Sequence, residues 1–351
     1  MNLWSKEAML MKTIRTEEAA GHVLCHDITQ IVRGETKGPA FRKGHIVQPE
    51  DIPVLLRLGK EHLYVLELGE NMLHENDAAL VLYRICAQPE TMHPSEIKEG
   101  KIDIFADTDG VFKVNRERLF AVNALGEMMI AARHGNTYVR RGDKLAGTRI
   151  IPLAIEREKL DRAVACAGDA PLFSILPLQR KKAAVIATGN EVYYGRIRDT
   201  FTDVIVDKLH ELGAEVILKA VCPDDDRVIT NECLKAAENG AELIFCTGGM
   251  SVDPDDRTPL AIKNTGASVV SYGAPVLPGA MLLLSYLGDI PLVGLPGCVM
   301  YHKRTVFDLV LPRLMADDRI LAEELAQLGE GGLCLNCPVC TYPNCGFGKG
   351  W

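Results

Sequence analysis

Cys246-Thr-Gly-Gly-Met-Ser-Val-Asp-Pro-Asp-Asp-Arg-Thr258 gathers several kinds of reactive group into one short stretch. Gly248-Gly249 allows the backbone to approach a ligand closely or to take positive φ. Ser251 and Thr258 add hydroxyls, and Asp253, Asp255 and Asp256 add three carboxylates. Comparable groups recur at Thr188-Gly-Asn-Glu191, at Pro223-Asp-Asp-Asp226 and at Leu295-Pro-Gly-Cys298. Bare amides hold a phosphate, and carboxylates hold Mg²⁺, which takes one or two of them plus phosphate oxygens. The chemistry suggested is that of a phosphorylated small molecule and a divalent cation. Neither Gly-x-x-x-x-Gly-Lys-Ser/Thr nor Gly-x-Gly-x-x-Gly occurs, so an ordinary nucleoside triphosphatase or dinucleotide reading is weak.

These groups need elements that bring them together. Residues 243–246 form a short apolar run, as do 183–187, and each reads as a buried strand. Residues 215–221 read as a further strand. Residues 200–212 and 226–239 read as helices, closed by Gly213 and Gly240. Another helix opens at Arg257-Thr-Pro259, with Thr258 as N-cap and Pro259 in its first turn. Strands are expected near 268–272, 281–286 and 291–293, and a last helix over 300–315. Such alternation predicts an α/β domain over 181–316, a mostly parallel sheet covered on both faces. All strand ends of one kind then lie on one edge, so the four loops converge where open α/β sheets bind ligands. The Leu295–Cys298 loop is expected just before a helix N-terminus, which favours anions.

Two smaller α+β regions are expected upstream, over 1–100 and 101–180. In the first, a helix starting near Pro49-Glu-Asp51 and closed by Gly59 precedes a strand at 62–66. A helix over 77–87 is capped by Asn76-Asp77. His22, His26 and His74 read as members of caps and turns. In the second, runs at 102–105 and 111–114 flank Asp107-Thr-Asp-Gly110, a hairpin signal. A helix over 115–133 follows, then two strands within 137–153 joined by a glycine turn. Arg140, Arg141, Lys144 and Arg149 make a local basic rim.

The chain has 351 residues, a net charge of −8 and 47% hydrophobic residues, an ordinary globular composition. No long basic run points to nucleic acid or an anionic membrane, and no apolar stretch could span a bilayer. Residues 1–11 are too short and polar for a signal peptide, so the expected location is cytoplasmic. Cysteines scattered in apolar contexts, such as Cys246 and Cys298, then read as reduced core thiols.

Thr188-Gly-Asn-Glu191, Gly195-Arg-Ile-Arg-Asp-Thr200, Asp224-Asp225, Thr247 to Thr258 and Leu295-Pro-Gly297 fall in the order and spacing of the molybdopterin-binding fold. Residues 181–315 resemble that family, which includes molybdopterin molybdenumtransferases, the gephyrin E domain and molybdopterin adenylyltransferases. Gly44 to Val65 resembles the molybdenumtransferase N-terminal region, and the chain is longer than a stand-alone adenylyltransferase. By this resemblance Glu191, Asp224 and Asp256 are the catalytic acids, with Asp224 and Asp256 on Mg²⁺. Thr188, Gly189, Asp199, Gly248, Gly249, Ser251, Thr258, Pro296 and Gly297 hold the pterin phosphate. The implied reaction inserts molybdate into adenylylated molybdopterin with Mg²⁺ and releases AMP. A molybdoenzyme or cofactor-assembly protein is the implied partner, and relatives often self-associate. Two departures point to an alternative, a non-catalytic molybdopterin-binding, delivery or sensor protein. The family's lysines around a Pro-Gly segment are missing from Val276-Leu-Pro-Gly-Ala-Met281, and its Leu-Pro-Gly-Asn-Pro becomes Leu295-Pro-Gly-Cys-Val299. A pyrophosphatase-like or nucleotide-hydrolysing enzyme on the same fold is a more distant alternative.

Residues 317–351 form a Cys-rich tail in place of the family's C-terminal β-domain. Cys334, Cys337, Cys340 and Cys345 are spaced x2, x2 and x4. Four thiolates so close can ligate Zn²⁺ or an iron–sulfur cluster. A sulfur-handling tail and a disordered one are the other readings.

Overall fold

The structure, a computed structural model, describes residues 11–32, 36–66, 69, 71–251, 253 and 256–350. Asp255, Val252 and Pro254 of the Gly-Gly loop, and residues 1–10, lie outside the described residues. Two compact units emerge. The first takes residues 1–107, 114–133 and 141–174, and so draws on both segments expected before residue 180. The second takes 108–113, 134–140 and 175–351.

In the first unit, Met11–Arg15 and Val23–Leu24 flank His62–Leu66 in an antiparallel sheet. The turn at Pro49–Asp51 and the helix Ile52–Arg57 lie where expected. The helix Glu75–Cys86 starts two residues early, because His74 rather than Asn76 is its N-cap and accepts from the Asn76 amide. A second sheet orders Met128–Ala132, Lys144–Ile150, Lys101–Ala106 and Met92–Pro94.

Three expectations for residues 101–153 fail. The runs flanking 107–110 do not form a hairpin. Lys101–Ala106 pairs with Lys144–Ile150, whereas Gly110–Val114 pairs with Thr137–Val139 in another sheet that also holds Phe173–Pro177. The two strands of the 137–153 stretch likewise do not pair with each other. The expected helix 115–133 stops at Asn123. Gly126 and Glu127 take positive φ, and Met128–Ala132 then alternates as a strand. The basic rim also separates. Arg140 lies in the second unit, 3.4 Å from Glu211, whereas Lys144 lies in the first, 2.7 Å from Asp103.

The second unit is built on six strands: β1 (Lys182–Thr188), β2 (Glu215–Cys222), β3 (Leu243–Thr247), β4 (Ser268–Tyr272), β5 (Leu283–Leu287) and β6 (Ile290–Leu295). Their order is β2-β1-β3-β6-β5-β4. The first four of that order run parallel, and β5 and β4 close the edge antiparallel. Helices α1 (Asn190–Tyr193), α2 (Phe201–Glu211), α3 (Asp226–Glu238), α4 (Thr258–Asn264) and α5 (Val306–Met315) accompany them. Side chains alternate across a strand, and β1 is buried on both faces. Ala183 and Val185 pack with Ile205 and Leu209 of α2 and Phe307 and Val310 of α5. Ala184 and Ile186 pack with Ile229 and Cys233 of α3 and Ala261 and Ile262 of α4. This is the expected three-layer α/β arrangement.

Helix α5 begins at Val306, six residues later than expected. Gly297–Met300 forms a 3-10 turn instead, and Thr305 with Asp308 makes a capping box at the true start. The Leu295–Cys298 loop therefore does not sit at the N-terminus of an α-helix. The tail is docked rather than loose. Leu277 N donates to Gly332 O and Cys334 N to Leu277 O, each at 2.8 Å, and Phe347 is buried. No helix among the described residues is long and apolar enough to cross a membrane.

Candidate functional site

Parallel register sets the site. Thr188 pairs with Cys222, Ala187 with Thr247, and Thr247 with Leu295. Four strands thus end level, and their loops share one rim. Adjacent parallel strands lie about 4.8 Å apart, so neighbouring loops can touch.

Two hydroxyl–backbone contacts and one between hydroxyls lock the centre of the rim. Thr258 Oγ1 donates to Gly248 O at 2.8 Å and lies 3.0 Å from Thr188 Oγ1. Thr188 Oγ1 lies 3.3 Å from Thr247 O. Thr258 is fully buried. It is the first helical residue of α4 rather than the N-cap, which is Arg257; its hydroxyl reaches back to the loop instead. Gly248 and Gly249 take φ of 95° and 54°. A Cβ at Gly248 would stand 2.1 Å from Thr188 O, and one at Gly249 3.0 Å from Thr258 Oγ1. Only glycine lets this turn sit so close to β1.

The β1 and β2 loops are joined in the same way. Asn190 N donates to Asp224 Oδ2 at 2.8 Å, and Asp224 N to Asn190 Oδ1 at 3.3 Å. Gly189 has φ of 143°, and a Cβ there would meet Glu191 Oε1 at 2.8 Å, so the Glu191 carboxylate lies back against the turn. Glu191 is exposed; Asp224 and Asp256 are half-buried.

Asp256 closes a small turn, its Oδ2 accepting from Asp253 N at 3.0 Å. Tyr272, from the far edge strand β4, donates to Met250 O at 2.9 Å and steadies the same loop. Burial, and then the Asp256 charge, push the Tyr272 hydroxyl above its ordinary pKa, so it remains a donor. Ser251 is exposed beside this contact. Pro296 is buried and Gly297 exposed at the end of β6; Gly297 faces the Phe201 ring of α2.

Asp199 serves differently from the expectation. Its Oδ1 accepts from Phe201 N at 2.9 Å and Thr202 N at 3.1 Å, and its Oδ2 from the Thr202 hydroxyl at 2.5 Å. Its carboxylate is occupied in starting α2. Lys303 and Arg304, the cations nearest in sequence after the Leu295–Cys298 loop, precede α5. Arg304 is bound to Asp308 at 2.8 Å. The four tail cysteines are free thiols, and no three His, Cys, Asp or Glu side chains among the described residues are placed to hold one metal ion.

Asn190 and Tyr272 were not foreseen. Asn190 stands inside a motif read for its glycine and glutamate, and could have been found there. Tyr272 carries no local signal; only the sheet order brings it to the loop.

The fold and the rim define an α/β domain whose loops gather at the carboxyl ends of four parallel strands. Residues 184–316, over a third of the chain, match a family described as a probable molybdopterin binding domain. Residues 13–67 match a family described only as a domain of unknown function. A molybdopterin molybdenumtransferase of Synechococcus elongatus is 29% identical over 157 residues, 42% of this chain and 37% of that protein. A probable FAD synthase of Caenorhabditis briggsae is 33% identical over 25% of this chain and 17% of that protein. A CinA-like protein of Mycobacterium tuberculosis is 36% identical over 22% of this chain and 18% of that protein. The chain thus matches well under half the length of these curated relatives. Among solved structures, the molybdopterin biosynthesis enzyme MoaB of Thermus thermophilus aligns with 40% of this chain and 98% of its own, at 20% identity and a TM-score of 0.33. A molybdenum cofactor biosynthesis protein of Pyrococcus furiosus aligns with 88% of this chain and 64% of its own, at 14% identity and a TM-score of 0.26. Scores this low carry no argument about the chain.

Proposed function

We propose that the rim binds molybdopterin, in its adenylylated form, and supports insertion of molybdate with release of AMP. The observation that carries this reading is the Thr188–Thr258–Gly248 lock. It holds a side-chain-free turn with its amides free of Cβ obstruction, a cradle suited to a phosphate. Asp224 and Asp256 are the carboxylates offered to Mg²⁺, which when bound would neutralise phosphate charge. They rise from the loops after β2 and β3, with β1 between in the sheet order, and would hold the ion. Two carboxylates plus phosphate oxygens are the donor set that Mg²⁺ takes. Glu191 lies on the intervening loop, where its carboxylate can act on the oxyanion only through the cation between them. Catalysis here is largely positioning of reactants already paired with their charges.

A second reading, pterin binding without turnover, is favoured by one specific observation. The Val276–Met281 segment carries no cation, and its Leu277 backbone is hydrogen-bonded to the tail. The matches to a FAD synthase and a CinA-like protein also leave nucleotide chemistry as a relative of the same site.

Incubation of the full chain with adenylylated molybdopterin, molybdate and Mg²⁺ separates these readings. The proposal expects AMP release that falls by roughly two orders of magnitude in Asp256→Asn and Glu191→Gln. Tight pterin binding with AMP release no faster than in those variants would sink the catalytic reading and leave the binding one.

A further inference from the structure

The tail and residues 301–304 line a second pocket. Cys334, Cys337, Cys340 and Cys345 all line one pocket of about 370 Å³. The pocket is built on anchored backbone. Cys334 N is bonded to Leu277 O at 2.8 Å, and the Tyr342 hydroxyl donates to Asp308 O at 2.9 Å. Cys334 and Cys345 pack against the core of the second unit, while Cys337 and Cys340 are exposed.

No three of these thiols meet at a point that a single ion could occupy. A tetrahedral zinc ion draws each sulfur to about 2.3 Å from one centre. Four thiols on one pocket can instead serve a polynuclear group, which supplies its own bridging sulfide and takes one thiolate at each iron. The spacing agrees: x2, x2 reproduces the first three ligands of the bacterial ferredoxin run. In that run the fourth cysteine can serve another cluster. Here the fold answers what spacing leaves open, because Cys345 lines the same pocket as the other three. Thiolate-ligated clusters are anionic, and His302, Lys303 and Arg304 form another part of the wall.

We propose that this pocket binds a [4Fe–4S] cluster through Cys334, Cys337, Cys340 and Cys345. The proposal is independent of what the rim binds. The test is anaerobic purification of the full chain, reconstitution with ferric iron, sulfide and a thiol reductant that brings half of the iron to the ferrous state, and assay of iron, acid-labile sulfide and visible absorbance. About four iron and four sulfide per chain are expected. Cys337→Ser with Cys340→Ser changes two exposed residues, so the fold should survive, as an unchanged Tm would verify. Iron and the visible charge-transfer band should then fall several-fold, whereas Cys166→Ser, in the first unit, should leave both unchanged. Zinc at about one per chain without sulfide, an absence of sulfide, or iron retained fully in the double variant would each overturn the assignment.

Discussion

Gly248 is where one methyl group should matter most. Its φ of 95° disfavours any L side chain, and its Cβ would collide with Thr188 O at 2.1 Å. Gly248→Ala is expected to cost about 1–3 kcal/mol and to weaken pterin binding at least tenfold, read by thermal unfolding and ligand titration. Gly195, at φ of 68° with nothing within 4 Å of a Cβ, is the control. Its alanine variant pays only the conformational term, about 1 kcal/mol, so equal losses at both positions would refute the steric account. Thr258→Val keeps the shape but removes the hydroxyl that Gly248 O accepts from, leaving a half-buried acceptor without this donor. A loss of about 1–3 kcal/mol follows, measurable by denaturant midpoint.

Among the elements, α5 depends most on a single side chain. Asp308 accepts from Thr305 N at 2.7 Å and pairs with Lys208 at 2.5 Å and Arg304 at 2.8 Å. Asp308→Ala removes the capping box and leaves two cations without this partner. About 2–3 kcal/mol should be lost, less than for a fully buried pair because Arg304 is still partly in water. Thr305→Ala removes only the cap and should cost about 1 kcal/mol. Elements of the sheet domain were legible because β1 and β3 are continuous apolar runs between helices closed by Gly213 and Gly240. The strands of residues 101–150 were not. Alternation marks a strand but not its partner, and the turn at 107–110 delivers the chain to a different sheet. The 115–133 misreading has a local cause, the positive φ at Gly126 and Glu127. Within the site, Thr188, Gly248 and Asp224 could be placed by strand-end logic. The capping role of Asp199 could not, since a turn acid reads alike whether it faces a ligand or the next helix.

At the level of the whole molecule, acid should weaken the second unit through Asp318. Burial would raise its pKa, but Arg313, 2.5 Å away, and Lys113, 2.8 Å away, outweigh burial and hold it below the ordinary carboxylate value. A carboxylate depressed in the folded state stabilises fully above the unfolded pKa of about 3.9. That contribution is lost as pH falls through the folded value. Asp318→Asn should therefore flatten the fall in Tm below about pH 4; an unchanged slope would exclude this group. Lys113 also shows why the unit is not a simple C-terminal half. A fragment of residues 175–351 lacks the segments 108–113 and 134–140, and with them two strands of the three-stranded sheet. It should melt below the second transition of the full chain, or fail to fold. Because the polypeptide passes between the units repeatedly from residue 107 to 175, no single genetic crossover within that span could exchange one unit and spare the other. The pair can be inherited or recombined only as a block.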